Sequence, residues 1–301
     1  MKKIIITVFI LLIAFTGFAQ GFYLRLGVGY AFPEAGQTID GTGQPYNGSS
    51  NNSATTETYN LKAASFSAGF QGTVALGYML SKHAGIQLDA NLGLAGKKYT
   101  FDDENVTVGG TPSNVSVIQQ AKSPFIVMPA LVLQTGGEPW NLYCRMGLAV
   151  PISTKITEDQ VISNAPGTGA LEIDDYTFQI KNSFSLGFTA AAGVQYKLND
   201  KVSIWGEISL LSMSVYIKES DLTNVTSNGQ NIPLSQVSGP QMVKYSRNAS
   251  TDSNMTVQPA YSQPFSNVGI NIGICFKLGD QSHSNSHRNE DIDDTKPFRR
   301  H

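Results

Sequence analysis

Four charged residues occupy positions where charge is least expected. Arg25, Asp89, Arg145 and Glu207 lie in segments whose alternate positions are large and apolar, and all four fall on the opposite, small-residue face. Two cations and two anions sharing one face can satisfy one another as a buried, hydrogen-bonded ion network. Scattered and bridged by water, they would only keep that face wet. More reactive chemistry has little to work with. The four histidines are His83, His283, His287 and His301; the first falls in a short connection, the others in a polar C-terminal stretch. A hydrolase or acyltransferase built on His, Ser and a carboxylate needs its base within reach of the nucleophile. No histidine sits in the alternating segments or the long connections between them, so no enzymatic activity is expected. His283-x-x-x-His287 would suit metal binding on a helix, but its Ser/Asn-rich surroundings disfavour one, so neither metal nor cofactor is expected. Gly27-x-Gly29 lies inside an alternating segment and does not form a phosphate-binding loop.

The elements that must position these charges are read from alternation with period two. Phe22, Leu24, Leu26, Val28, Tyr30 and Phe32 oppose Tyr23, Arg25, Gly27, Gly29 and Ala31. The same division of large apolar against small or polar recurs over 66–78, 86–94, 142–152, 184–196, 202–208 and 268–276. A uniformly apolar run over 124–135 supplies an eighth strand, fourth in chain order. Near Leu210-Leu211 the parity slips, and Met213, Val215 and Ile217 continue one step out of phase; a β-bulge is expected there. The connections alternate in length. Those over 81–84, 136–139 and 198–201 are tight, whereas 33–61, 102–122, 158–175 and 219–261 are long and rich in Asn, Ser, Thr and Gly. Short turns at one end, long loops at the other and an even strand count are the plan of an outer-membrane barrel with both termini periplasmic.

Composition agrees. Only 15% of residues are charged, against about 25% in an ordinary soluble domain. The net charge of −2 gives no nucleic-acid surface. Lys2-Lys3, the apolar run 4–14 and Gly17-Phe18-Ala19 form a secretory leader with cleavage expected after Ala19. No later stretch is apolar and long enough for a membrane helix, so a spanning chain must span as a barrel. A soluble barrel would bury the Phe/Leu/Ile face instead. The other face, built of Gly, Ala and Ser, makes a poor solvated surface but fills the narrow interior of eight strands. The expected fold is therefore all-β: an eight-stranded, antiparallel, up-and-down transmembrane β-barrel with short periplasmic turns and long extracellular loops. It divides the chain into a leader (1–19), a barrel (20–278) and a disordered periplasmic tail (279–301) rich in polar and charged residues. Cys144 then faces lipid and Cys275 the lumen on strands that are not neighbours, so no disulfide is expected.

The last strand reads Asn271-x-Gly273-x-x-Phe276-x-Leu278. It resembles the β-signal of outer-membrane proteins, a polar residue and a glycine followed by alternating apolar or aromatic residues. It departs from that pattern in ending on Leu, and in lying ahead of a tail. Together with the leader and strand plan, the resemblance covers 20–278 and is to the small outer-membrane β-barrel domain proteins, OmpA-like transmembrane barrels among them. It implies residence in outer-membrane lipid and insertion by the outer-membrane assembly machinery, which reads Asn271, Gly273, Phe276 and Leu278. The tail is too short for the peptidoglycan-binding domain that some such proteins append. Two roles fit: a structural or surface-interaction protein that meets an extracellular ligand through its loops, 219–261 foremost, or a narrow pore for small or hydrophobic solutes. The small bore favours the first. Protease added to intact cells is expected to cut near Asn51 and Asn228 and to spare the tail beyond Gly279, as gel analysis of the fragments would reveal; cleavage confined to the tail would contradict the orientation.

Overall fold

The computed structural model describes residues 21–34, 38–39, 62–108, 111–164, 172–238, 240–246 and 256–278. The expected leader and tail, the segment around Asn51, and His283, His287 and His301 lie outside them. Eight strands close into an antiparallel barrel: β1 (Phe22–Pro33), β4 (Gly69–Met79), β5 (Ala84–Gly96), β8 (Phe125–Gln134), β9 (Trp140–Ser153), β12 (Gly187–Lys197), β13 (Val202–Ser212) and β19 (Asn267–Lys277). Each pairs with its predecessor in that order, and β1 closes on β19, with Leu24 opposite Phe276 and Gly27 opposite Gly273.

Alternation sets the two faces. Val28, Phe70, Ile152, Phe188 and Ile272 are all more than half exposed on the outside, where lipid removes the penalty that water would impose. Aromatic pairs mark both rims: Phe22–Tyr78 and Trp140–Tyr196 (centroids 4.6 Å apart in each) at the short-turn end, Tyr30–Phe70 (5.0 Å) at the other. Such girdles sit at the two membrane interfaces. Among the described residues no helix is long and apolar enough to cross a membrane. Cys144 is exposed on the outside and Cys275 buried inside, and both are free. Pro129, in the middle of β8, lacks an N–H; the β8–β9 ladder is unpaired at Met128 and Pro129 and resumes at Ala130–Gly147.

Three of the connections expected as long loops are instead ordered, and they build a second sheet. It contains β6 (Lys98–Val108), β7 (Thr111–Ala121), β10 (Ile156–Asn164), β11 (Ile173–Asn182), β14 (Ser214–Ser227), β16 (Met242–Ser246) and β17 (Val257–Pro259), with β15 (Gln230–Asn231) and β18 (Ser262–Pro264) attached to β14. From the fourth connection, β2 (Thr38–Ile39) pairs with β3 (Lys62–Ala63). Alternation persists here beneath a polar composition: Val117, Gln119 and Ala121 are buried on one face of β7 while their neighbours stay partly exposed. At Asn228-Gly229 both residues have positive φ (49° and 78°), and the turn links β14 tightly to β15, as Asn-Gly favours.

The parity slip has a different cause from the bulge expected. Neither ladder of β13 carries a register shift. The strand ends at Ser212, and after Met213 the chain leaves the barrel to pair as β14 with β18 and β11. Met213, Val215 and Ile217 thereby turn inward. They join Phe66, Phe265, Ile156, Ile180, Tyr99 and the upper barrel residues Ile126, Met128, Ala149 and Leu211 in one apolar core at the junction of the two sheets. Phe66, which the alternation placed on the lipid face, is fully buried in that core. The strand begins only at Gly69; before it, the Phe66 N–H donates to the Pro264 carbonyl (2.8 Å) and the chain turns at Ser65–Ala68.

Candidate functional site

Arg25 on β1, Asp89 on β5, Arg145 on β9 and Glu207 on β13 occupy alternate strands, each a few residues in from the short-turn end, and their side chains meet inside the barrel. Arg145 lies between the two acids: its Nη2 donates to Glu207 Oε1 (2.7 Å) and its Nη1 to Asp89 Oδ2 (3.3 Å). Arg25 Nη2 donates to Glu207 Oε2 (3.2 Å) from the other side. All four residues are at most 6% exposed. The charges balance, and neutral donors complete the carboxylates' hydrogen bonding. Tyr143 Oη donates to Glu207 Oε2 (2.9 Å), and Gln87 Nε2 donates to Asp89 Oδ1 (2.6 Å). Tyr23 Oη donates in turn to Gln87 Oε1 (2.8 Å).

Aromatic rings and missing side chains complete the packing. The Arg25 guanidinium stacks 4.0 Å from the Trp205 ring centroid and 4.6 Å from that of Tyr143, with which it also hydrogen-bonds. Such cation–π contact gains strength when water is excluded. Glycines leave the space these rings need. A Cβ at Gly27 would lie 2.4 Å from the Trp205 ring, one at Gly77 2.1 Å from that of Tyr23, and one at Gly193 2.6 Å from Tyr143 Oη. Sequence reasoning found the four charges but missed Tyr23, Gln87, Tyr143 and Trp205, although each shares the parity of the charged residue two positions along its strand. Above Arg145 the interior turns neutral and polar: Asn91 donates to Gln71, and a cavity of about 20 Å³ lies among Gln71, Thr73, Asn91, Thr189 and Asn271, room for about one water.

The residues of the expected assembly signal lie on and just beyond the closing strand β19. Asn271 and Gly273 face inward, where Asn271 Nδ2 donates to Ser209 Oγ (2.9 Å) and Gly273 lies under the Trp205 ring. Phe276 pairs with Leu24, and the exposed Leu278 donates its backbone N–H to the Phe22 carbonyl (2.9 Å). His83 sits in an exposed turn at the short-turn end, with Nδ1 beside the Gln134 carbonyl. Among the described residues no group of His, Cys, Asp and Glu could hold a metal ion. In the second sheet, Gln119 Nε2 donates to Glu158 (2.6 Å), whose carboxyl burial pushes above the usual range.

Removing one member of a buried ion network leaves its partner charged and unsatisfied, which costs about 3–5 kcal/mol. Glu207→Gln strips a counter-charge from both arginines, whereas Asp89→Asn strips it from one. Denaturant unfolding in detergent, followed by the mobility shift of the folded barrel on gels, is expected to rank Glu207→Gln as the more destabilising; the reverse order would contradict the geometry.

Solved structures similar in outline include the outer membrane protein OprG from Pseudomonas aeruginosa (12% identity, 86% of this chain and 95% of that one, TM-score 0.42). Others are a major outer membrane protein from Thermus thermophilus (11%, 85% and 99%, 0.38) and the attachment invasion locus protein Ail of Yersinia pestis (10%, 85% and 100%, 0.29). No curated protein sequence matches the chain. The family model described as the outer membrane protein beta-barrel domain matches residues 7–235. The chain belongs to that family, and its place is the outer membrane.

Proposed function

We propose that this protein is a plugged outer-membrane barrel that serves as a scaffold, holding its second sheet at the cell surface for contact with an extracellular ligand. The observation that carries this reading is the Arg25–Glu207–Arg145–Asp89 belt, which joins four alternate strands across the bore. A solute passing through would have to break it, and each broken pair leaves buried charge. The small polar cavity above it, with room for about one water, supports the same conclusion. The leader (1–19), the periplasmic tail (279–301) and the outward orientation of the long hairpins belong to this reading. So do recognition of Asn271, Gly273, Phe276 and Leu278 by the assembly machinery and the absence of enzymatic activity. The connection 219–261, expected to recognise partners, presents exposed side chains such as Met242 and Lys244.

Single-channel recording in a planar bilayer tests the plug. Wild-type protein, verified as folded and inserted, is expected to be electrically silent. A variant with Arg25, Asp89, Arg145 and Glu207 all replaced by Ser, which removes the belt while keeping the bore neutral, is expected to give discrete steps. Reproducible steps from the wild type would overturn the plugged reading and favour a pore for small solutes.

A further inference from the structure

Where the second sheet rises from the barrel, its outward face carries lysines. Ala121, Ile156 and Ile180 are buried on adjoining strands, with Ile156 opposite both Ala121 and Ile180. Their neighbours Lys122, Lys155 and Lys181 therefore point away from the core, and the Lys122 N–H donates to the Lys155 carbonyl (2.9 Å). Lys98, next to the buried Tyr99, faces the same way, opposite Gln120 on β7. Lys181 is neutralised, since its ammonium bridges Glu219 (2.6 Å) and Asp221. Lys98, Lys122 and Lys155 are exposed and have no acidic partner among the described residues. Beyond the pair held by Lys181, Asp159 and Asp175 on this face come further out along the strands. Immediately on the barrel side stand the last lipid-facing residues, Leu94, Ile152 and Phe184, the last 77% exposed.

We infer that Lys98, Lys122 and Lys155 form a docking site for the phosphorylated headgroup of an outer-leaflet glycolipid. The height fits: with a rise of about 3.3 Å per residue, the lysines lie just above the apolar band, and their stems can lie along it with the ammonium at headgroup level. The charge fits as well, because strand neighbours about 4.8 Å apart bring unpaired ammoniums onto one patch while the nearby lysine with acids beside it is already spent. Lysines at a membrane surface attract anionic lipid. The inference rests on the proposed outward orientation of the second sheet, but its test does not.

Native mass spectrometry of the detergent-solubilised full chain, titrated with bisphosphorylated lipid A or with the same glycolipid dephosphorylated, measures the affinity directly. The wild type is expected to prefer the phosphorylated form, with about fivefold loss of affinity for each lysine changed to Gln. The triple variant Lys98→Gln/Lys122→Gln/Lys155→Gln is expected to lose the preference, and the corresponding Lys→Arg triple to keep it. Equal wild-type affinity for both glycolipids would overturn the site whether or not the variants fold, as would a folded Gln triple that retains the preference. Cellular orientation does not enter this assay; surface proteolysis tests it separately.

Discussion

Charge placed inside a narrow barrel must find its counter-charge there, because neither lipid nor strand backbone can supply one. Eight strands leave an interior that side chains fill, and in this protein much of the filling near the short-turn end is Arg25, Asp89, Arg145 and Glu207 with their aromatic neighbours. The demand propagates outward. A guanidinium stacked on Trp205 needs room for that ring over the neighbouring strands, and Gly27 and Gly273, opposite each other beneath it, leave that room. Tyr23 and Tyr143 need Gly77 and Gly193 for the same reason. The small-residue face is thus the complement of a few large, polar side chains.

The opposite end is solved differently. There the barrel strands meet a second sheet and the interior becomes apolar, with Phe66, Phe265, Val215 and Ile217 fully or almost fully buried. A charge network pins four alternate strands near one end, and a hydrophobic core joins two sheets at the other. The two devices suit their surroundings: the ion network fixes partners by geometry, while the core gains stability from burial in a region that water reaches from the far side.

Much of this was legible in the residues. Period-two alternation located seven of the barrel strands, because a strand with lipid on one side and a tight lumen on the other leaves little choice of face, and the uniformly apolar run around Pro129 supplied the eighth. The four charges stood out for the same reason. What escaped had weaker signals. The 102–122 stretch read as loop from its Asn, Ser and Thr content, yet Val117, Gln119 and Ala121 alternate and Thr and Val favour strands. The slip at Leu210-Leu211 read as a bulge because sequence cannot reveal that a strand changes partners. Phe66 kept parity with Phe70 but precedes the strand. Tyr143 and Trp205 are large residues on a small face, and their size and polar atoms are the clue to what Arg25 touches.

The proposed closure of the bore by its charges requires those four charges to act as one coupled unit. A double-mutant cycle on Arg145 and Glu207, each replaced by Met and compared by denaturant unfolding of the folded barrel, tests that coupling most directly. If each single variant strands a buried charge, the double variant should be less damaging than the two singles combined, by about 2–3 kcal/mol. Additive effects, to within about 0.5 kcal/mol, would mean that the charges are separately solvated and that the belt does not hold the bore shut.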